Sequence, residues 1–189
     1  PPTTRGASLT GGAEAGCDVG LPLSVAGVGA SWDVMNAAQT RVAAGQTVLG
    51  PAVIDRRMTP GSRIGAVGAL TGRAGFDLGP FLLFARGGFA LAPQTSRYTF
   101  AETNSLTGTT SWALNSRQWR VGYVLGVGVE MQVASFVVKL EYDHYGFGVC
   151  NCAMDGVYKT PLTSAVPARV TMGDKLSLGA LRGGLAYKF

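Results

Sequence analysis

The side chains best suited to chemistry in this 189-residue chain lie close together, in Asp143-His144-Tyr145 and Cys150-Asn151-Cys152. Two cysteines one residue apart suit a redox pair, a metal pair, or thiolate ligation of heme iron. The plainer reading is a local disulfide or free surface thiols. A structural metal site takes about four ligands at known spacing, and His144 is the only histidine, so no metal site is expected. His144 also suits the base of a Ser–His–acid set, but no nucleophile elbow occurs, and the plainer reading is an interfacial histidine. Glu130 and Glu141, with Arg120, have the residue types of a catalytic carboxylate pair; they equally suit a paired network filling an interior. The glycine runs Gly11-Gly12 and Gly87-Gly88 are not phosphate loops, because no Lys-Ser/Thr or helix start follows them. A non-enzymatic chain without a cofactor is expected.

Composition narrows what must position these residues. Charged residues make up 14% of the chain, against about 25% in ordinary soluble domains. Glycine is abundant, at 28 residues. Such a chain is too apolar for disorder and has the wrong composition for a helical bundle. No apolar run approaches the ~18 residues of a membrane-crossing helix. The net charge is +5, but the basic residues are scattered, with Arg56-Arg57 the only adjacent pair. No basic stripe interleaves with stacking aromatics, so nucleic acid is not an expected partner. Pro1-Pro2-Thr3-Thr4 has neither the basic start nor the apolar core of a secretory leader.

Period-two alternation organises the chain. Between Trp119 and Val133 the odd positions are all apolar, while the even ones hold Arg120, Glu130, Gln132, Val124 and glycines. Phe136, Val138, Leu140 and Tyr142 alternate with Val137, Lys139, Glu141, Asp143 and Tyr145. The end repeats the pattern, Leu181, Leu185, Tyr187 and Phe189 against Arg182, Ala186 and Lys188. Ala7–Val19, Leu23–Met35, Arg63–Phe76 and Phe81–Leu91 fit with less contrast. Spans of this length suit tilted strands crossing a bilayer, which need ~9–11 residues.

Three connections are tight (Gly20–Pro22, Asp77–Pro80 and Ala134-Ser135), and they alternate with three long polar ones, Asn36–Ser62, Ala92–Arg117 and Gly148–Asp174. An up-and-down meander then places all tight turns at one end and all long loops at the other, the pattern of outer-membrane barrels. The fold expected is all-β: an antiparallel up-and-down transmembrane β-barrel forming one domain over residues 1–189. Its apolar parity faces lipid, and its mixed parity fills the interior. The expected interior polar network is Glu14, Asp18, Asp33, Arg63, Arg73, Arg86, Arg120, Glu130, Lys139, Glu141, Asp143, Arg182 and Lys188. Cys17 falls on the lipid-facing parity at the tight-turn end, so this arrangement forbids its bonding to Cys150 or Cys152.

Several segments resemble the small porin-like outer-membrane barrels, the OmpA-like and opacity-protein-like family of Gram-negative bacteria. Gly65–Phe76 is similar to that family's V-R-G-R-L-G-Y strand, and Phe84–Ala90 to its Y-V-T-G-G-L-A-Y strand. Val124–Glu130 followed by Val138–Tyr142 resembles W-x-V-G-A-G-V-E-Y…L-K-A-E-Y-x-Y, and Leu181–Phe189 resembles V-G-L-N-Y-R-F. The resemblance implies eight strands, with Tyr187 and Phe189 as the signal read by the barrel-assembly machinery. It also implies a place in the outer membrane among lipid and lipopolysaccharide, with long loops outside and tight turns periplasmic. Only seven strands are visible, so an eighth is expected upstream of Pro1 or from another chain. The function expected is a surface structural protein, adhesin or docking partner for another envelope protein. The alternative is a hemin or small-ligand receptor using His144, Cys150 or Cys152, and a third is a lipid-modifying enzyme.

Overall fold

A computed structural model describes residues 3–9, 11–40, 42–161 and 163–187. The chain is all-β. Its strands are β1 (Thr3–Leu9), β2 (Gly11–Leu21), β3 (Ser24–Thr40), β4 (Ala43–Leu49), β5 (Ala52–Asp77), β6 (Phe81–Asn104), β7 (Gly108–Val133), β8 (Phe136–Thr160) and β9 (Thr163–Tyr187). Pairing from β2 through β3, β5, β6, β7 and β8 to β9 is antiparallel, and the sheet curls into an up-and-down half-barrel. β4 continues the course of β3 and pairs with β5, while β1 and β2 follow one another in the chain and count as one course. Seven long courses result, as alternation predicts.

An odd meander makes its first and last strands run parallel. The sheet meets this requirement directly: Thr3–Leu9 pairs in parallel with Lys175–Leu181, with no eighth strand between them among the described residues. The single strand expected over Ala7–Val19 is therefore two. Its first part bonds to β9, and Gly11–Leu21 bonds to β3 on the other edge. The seam is paired at one end and splits toward the tight turns.

The expected long loops are a second correction. Strands β5 to β9 run 24 to 26 residues each, far beyond what a bilayer crossing needs. The polar connections are thus hairpin extensions of the wall, turning at Gly50-Pro51, Ser105–Thr107 and near Pro161. Gly50 takes φ +59° at the first of these turns. The tight ends lie at Pro22-Leu23, Leu78–Pro80 and Ala134-Ser135, the first displaced slightly from its expected place.

Alternation sorts the faces. Trp119, Val121, Tyr123, Leu125 and Val127 on β7 are exposed, as are Phe136, Val138, Leu140 and Tyr142 on β8. Inside, Met35, Ile64, Val67, Ala90, Val124, Tyr145, Phe147, Leu176 and Leu178 form a buried apolar core above the ion-paired layer. A smaller cluster of Tyr98, Leu114 and Met154 fills the hairpin extensions.

Candidate functional site

The interior charges meet because glycines separate them along rows of the sheet. One row reads Asp18, Gly27, Arg73, Arg86, Gly126, Asp143 and Ala180 across β2, β3, β5, β6, β7, β8 and β9. Strands lie ~4.8 Å apart, so a side chain must lie over its neighbour to reach the next strand. At Gly126 any Cβ would run into the Asp143 carboxylate and would sit 3.2 Å from Arg86 Cγ. Glycine there lets Arg86 reach Asp143, at 2.6 Å between Nη2 and Oδ2. Gly27 serves the Arg73–Asp18 pair in the same way.

The ion pairs form one deep layer and one nearer the tight turns. In the deep layer Arg86 pairs with Glu141 at 2.8 Å as well as with Asp143. Arg182 reaches Asp33 at 3.0 Å, Glu141 at 3.0 Å and Glu14 at 3.3 Å. Lys139 joins Glu14 at 2.7 Å and Glu141 at 3.0 Å. The side chains of Arg86, Glu141 and Asp143 are 0–1% exposed, so each depends on these partners in place of water. The Tyr145 hydroxyl donates to Asp143 at 3.1 Å. In the second layer Arg73 joins Asp18 and Glu130. The buried Phe84 ring lies between the layers, with Arg73 and Lys139 at 5.4 and 5.7 Å from its centroid.

Arg63 does not belong to this network. One extra residue on β5 between Ile64 and Gly68, and one on β3 between Val34 and Ala37, shift the register. A one-residue slip exchanges the faces of a strand, so Ile64 turns inward at 1% exposed and Arg63 turns out. Arg120 is inward and buried, but it joins neither ion-paired layer through the pairs described. Its guanidinium donates to Cys152 Sγ at 3.3 Å and to the carbonyls of Gly148 and Phe147 at 3.0 and 3.4 Å. Lys188 and Phe189 lie outside the described residues. Tyr187 is exposed on the outer face, edge-to-face with Phe136 at 5.6 Å between centroids.

Cys150 and Cys152 are joined in a disulfide, with Cα atoms 5.3 Å apart. Neither sulfur is then a thiolate ligand for heme iron, a correction to their candidacy. Around them the β7–β8 ladder opens between Asn115 and Tyr123. Donors on one face of β7 fill the gap: Ser116 and Gln118 reach the Ala153 carbonyl at 2.9 and 3.2 Å, beside Arg120. Cys17 is a free, exposed cysteine, unbonded to either of them as the sequence requires. His144 is on the opposite, outer face, near Tyr123 and with Nε2 3.4 Å from Ser177 Oγ. No carboxylate pairs with it among the described residues. No three His, Cys, Asp or Glu side chains among those residues converge as a metal site.

Sequence reasoning missed the continuation of the interior above residue 91. Ala92, Gln94, Ser96 and Tyr98 are buried on the same parity as Phe84 and Arg86. Gln94 donates to Ser62 and Ser96 at 2.8 and 3.2 Å. The alternation was visible there, but its small polar residues read as loop. Ser177, beside His144, carried no sequence signal.

Fold and site together define a class: an up-and-down β-barrel architecture with an ion-paired interior and an apolar outer face. The chain matches no protein-family model, no curated protein and no solved structure in comparisons with each.

Proposed function

We propose that this chain is an outer-membrane β-barrel of the small porin-like, OmpA-like kind, and that it works without catalysing a reaction. In this reading the packed interior makes the wall a rigid support, and the three β-hairpin extensions carry adhesion or docking outside the cell. One observation carries it: the outer face is apolar and exposed across adjacent strands while the charged residues are paired within. Water would oppose that arrangement, and hydrocarbon requires it, since a spanning sheet must satisfy its polar groups internally.

The experiment is reconstitution in phosphatidylcholine vesicles. The reading expects protease to remove the hairpins while the strands stay protected, together with no stable conductance in planar bilayers. Digestion throughout the chain counts against a membrane barrel, and large steady conductance counts against the filled interior. The hemin alternative is left with His144 alone. An absorbance titration with hemin on wild type and His144→Ala separates it: a shift that the substitution abolishes favours the receptor.

A further inference from the structure

The turn of Arg63 to the outside places it in a group. Arg63 on β5 is opposite Thr95 on β6, and Thr95 is opposite Arg117 on β7. Two residues farther from the tight turns, Arg97 occupies the outer face of β6 between them, its Nε donating to Asn115 Oδ1 at 3.1 Å. With strands ~4.8 Å apart, Arg63 and Arg117 stand ~10 Å from each other. Arg97 lies diagonal to both at ~7–8 Å, so three long side chains reach one patch.

All three are exposed, and none forms an ion pair among the described residues. The acid facing outward beside them is Asp155, in register with Asn115 and paired to Arg169 at 3.5 Å. Directly below on the same face lie Leu91, Trp119 and Val121, all exposed. An apolar band ending at a cluster of guanidinium groups is the profile of a membrane surface. Arginine stems lie along apolar surface while their heads stay polar, and the guanidinium fork matches phosphate with two hydrogen bonds.

The geometry points to Arg63, Arg97 and Arg117 as a binding site for the phosphate of an anionic lipid in the leaflet on the hairpin side, an assignment that rests on the membrane reading. Trp119, two residues from Arg117, is the reporter. In a Trp32→Phe, Trp112→Phe background it is the remaining tryptophan. The protein is reconstituted in phosphatidylcholine vesicles carrying a minor fraction of chain-brominated phosphatidic acid or chain-brominated phosphatidylcholine.

Brominated phosphatidic acid quenches Trp119 preferentially if the site exists. Each single Arg→Gln change lowers that preference about fivefold, as expected for one basic side chain near an anionic surface, and the triple change removes it. Arg57→Gln with Lys159→Gln, higher on the same face, leaves it intact. Equal quenching by both lipids overturns the site while preserving the membrane reading. An equal loss on changing Arg57 and Lys159 replaces the site by a diffuse surface potential. Absence of quenching by either lipid removes the membrane reading itself.

Discussion

Replacing Arg86 by methionine probes the interior directly, because the change keeps most of the volume and removes the charge. Arg86 is the closest cation to both Glu141 and Asp143, at 2.8 and 2.6 Å, and all three side chains are out of contact with solvent. Without it, Glu141 retains Arg182 and Lys139, each at 3.0 Å. Asp143 retains Arg182 at 3.4 Å and the Tyr145 hydroxyl. Breaking a buried pair on one side costs about 3–5 kcal/mol, and the surviving partners hold the loss to that range instead of doubling it. Arg86→Met with Asp143→Asn removes the stranded charge and recovers at least ~1 kcal/mol, since coupled neighbours depart from additivity by 0.5–3 kcal/mol. Urea unfolding of protein in zwitterionic micelles, followed by tryptophan fluorescence and by gel mobility without boiling, measures both variants. A single variant within ~1 kcal/mol of wild type, or a double variant no better than the single, refutes the network as a source of stability.

Other expectations follow from the rows and the seam. Gly126→Ala forces a methyl against Asp143 and Arg86 and costs ~1–3 kcal/mol in the same urea assay, whereas Gly183→Ala, with open space at its Cβ, stays within ~0.5 kcal/mol. Equal behaviour of the two variants contradicts the crowding at Gly126. In a Cys17→Ser background, cysteines at Leu9 and Leu181 form a bond on mild oxidation, because the two residues are Cα partners in the parallel seam. Absence of that bond, in protein otherwise folded, restores an intervening eighth strand. Maleimide on the unfolded, unreduced wild-type chain adds one label, at Cys17, and three after reduction. Three labels without reductant exclude the Cys150–Cys152 disulfide.

Most of the wall was legible before folding because period two is a local property. Trp119–Val133 and Phe136–Tyr145 each carry their inside and outside in their own residues, and those faces are the ones observed. The acids Glu14, Asp18, Asp33, Glu130, Glu141 and Asp143 could be assigned inward for the same reason. Arg63 could not, because its face depends on an extra residue absorbed between β3, β5 and β6. That insertion is settled by how three strands align and leaves no mark in Arg63-Ile64-Gly65-Ala66. The polar connections misled for a related reason. Gln94, Ser96 and Ser116 look like loop residues in isolation and become wall residues once a partner strand receives them.

The sequence by itself determined the class of fold, the two faces of most strands and the tight-turn end, since alternation and turn residues act within a few positions of one another. Only the tertiary structure decided which charges meet, that Arg120 sits by a disulfide, that Arg63 joins Arg97 and Arg117 outside, and how the seam is paired. Those outcomes depend on register between strands distant in the chain, where one residue of slip exchanges inside for outside.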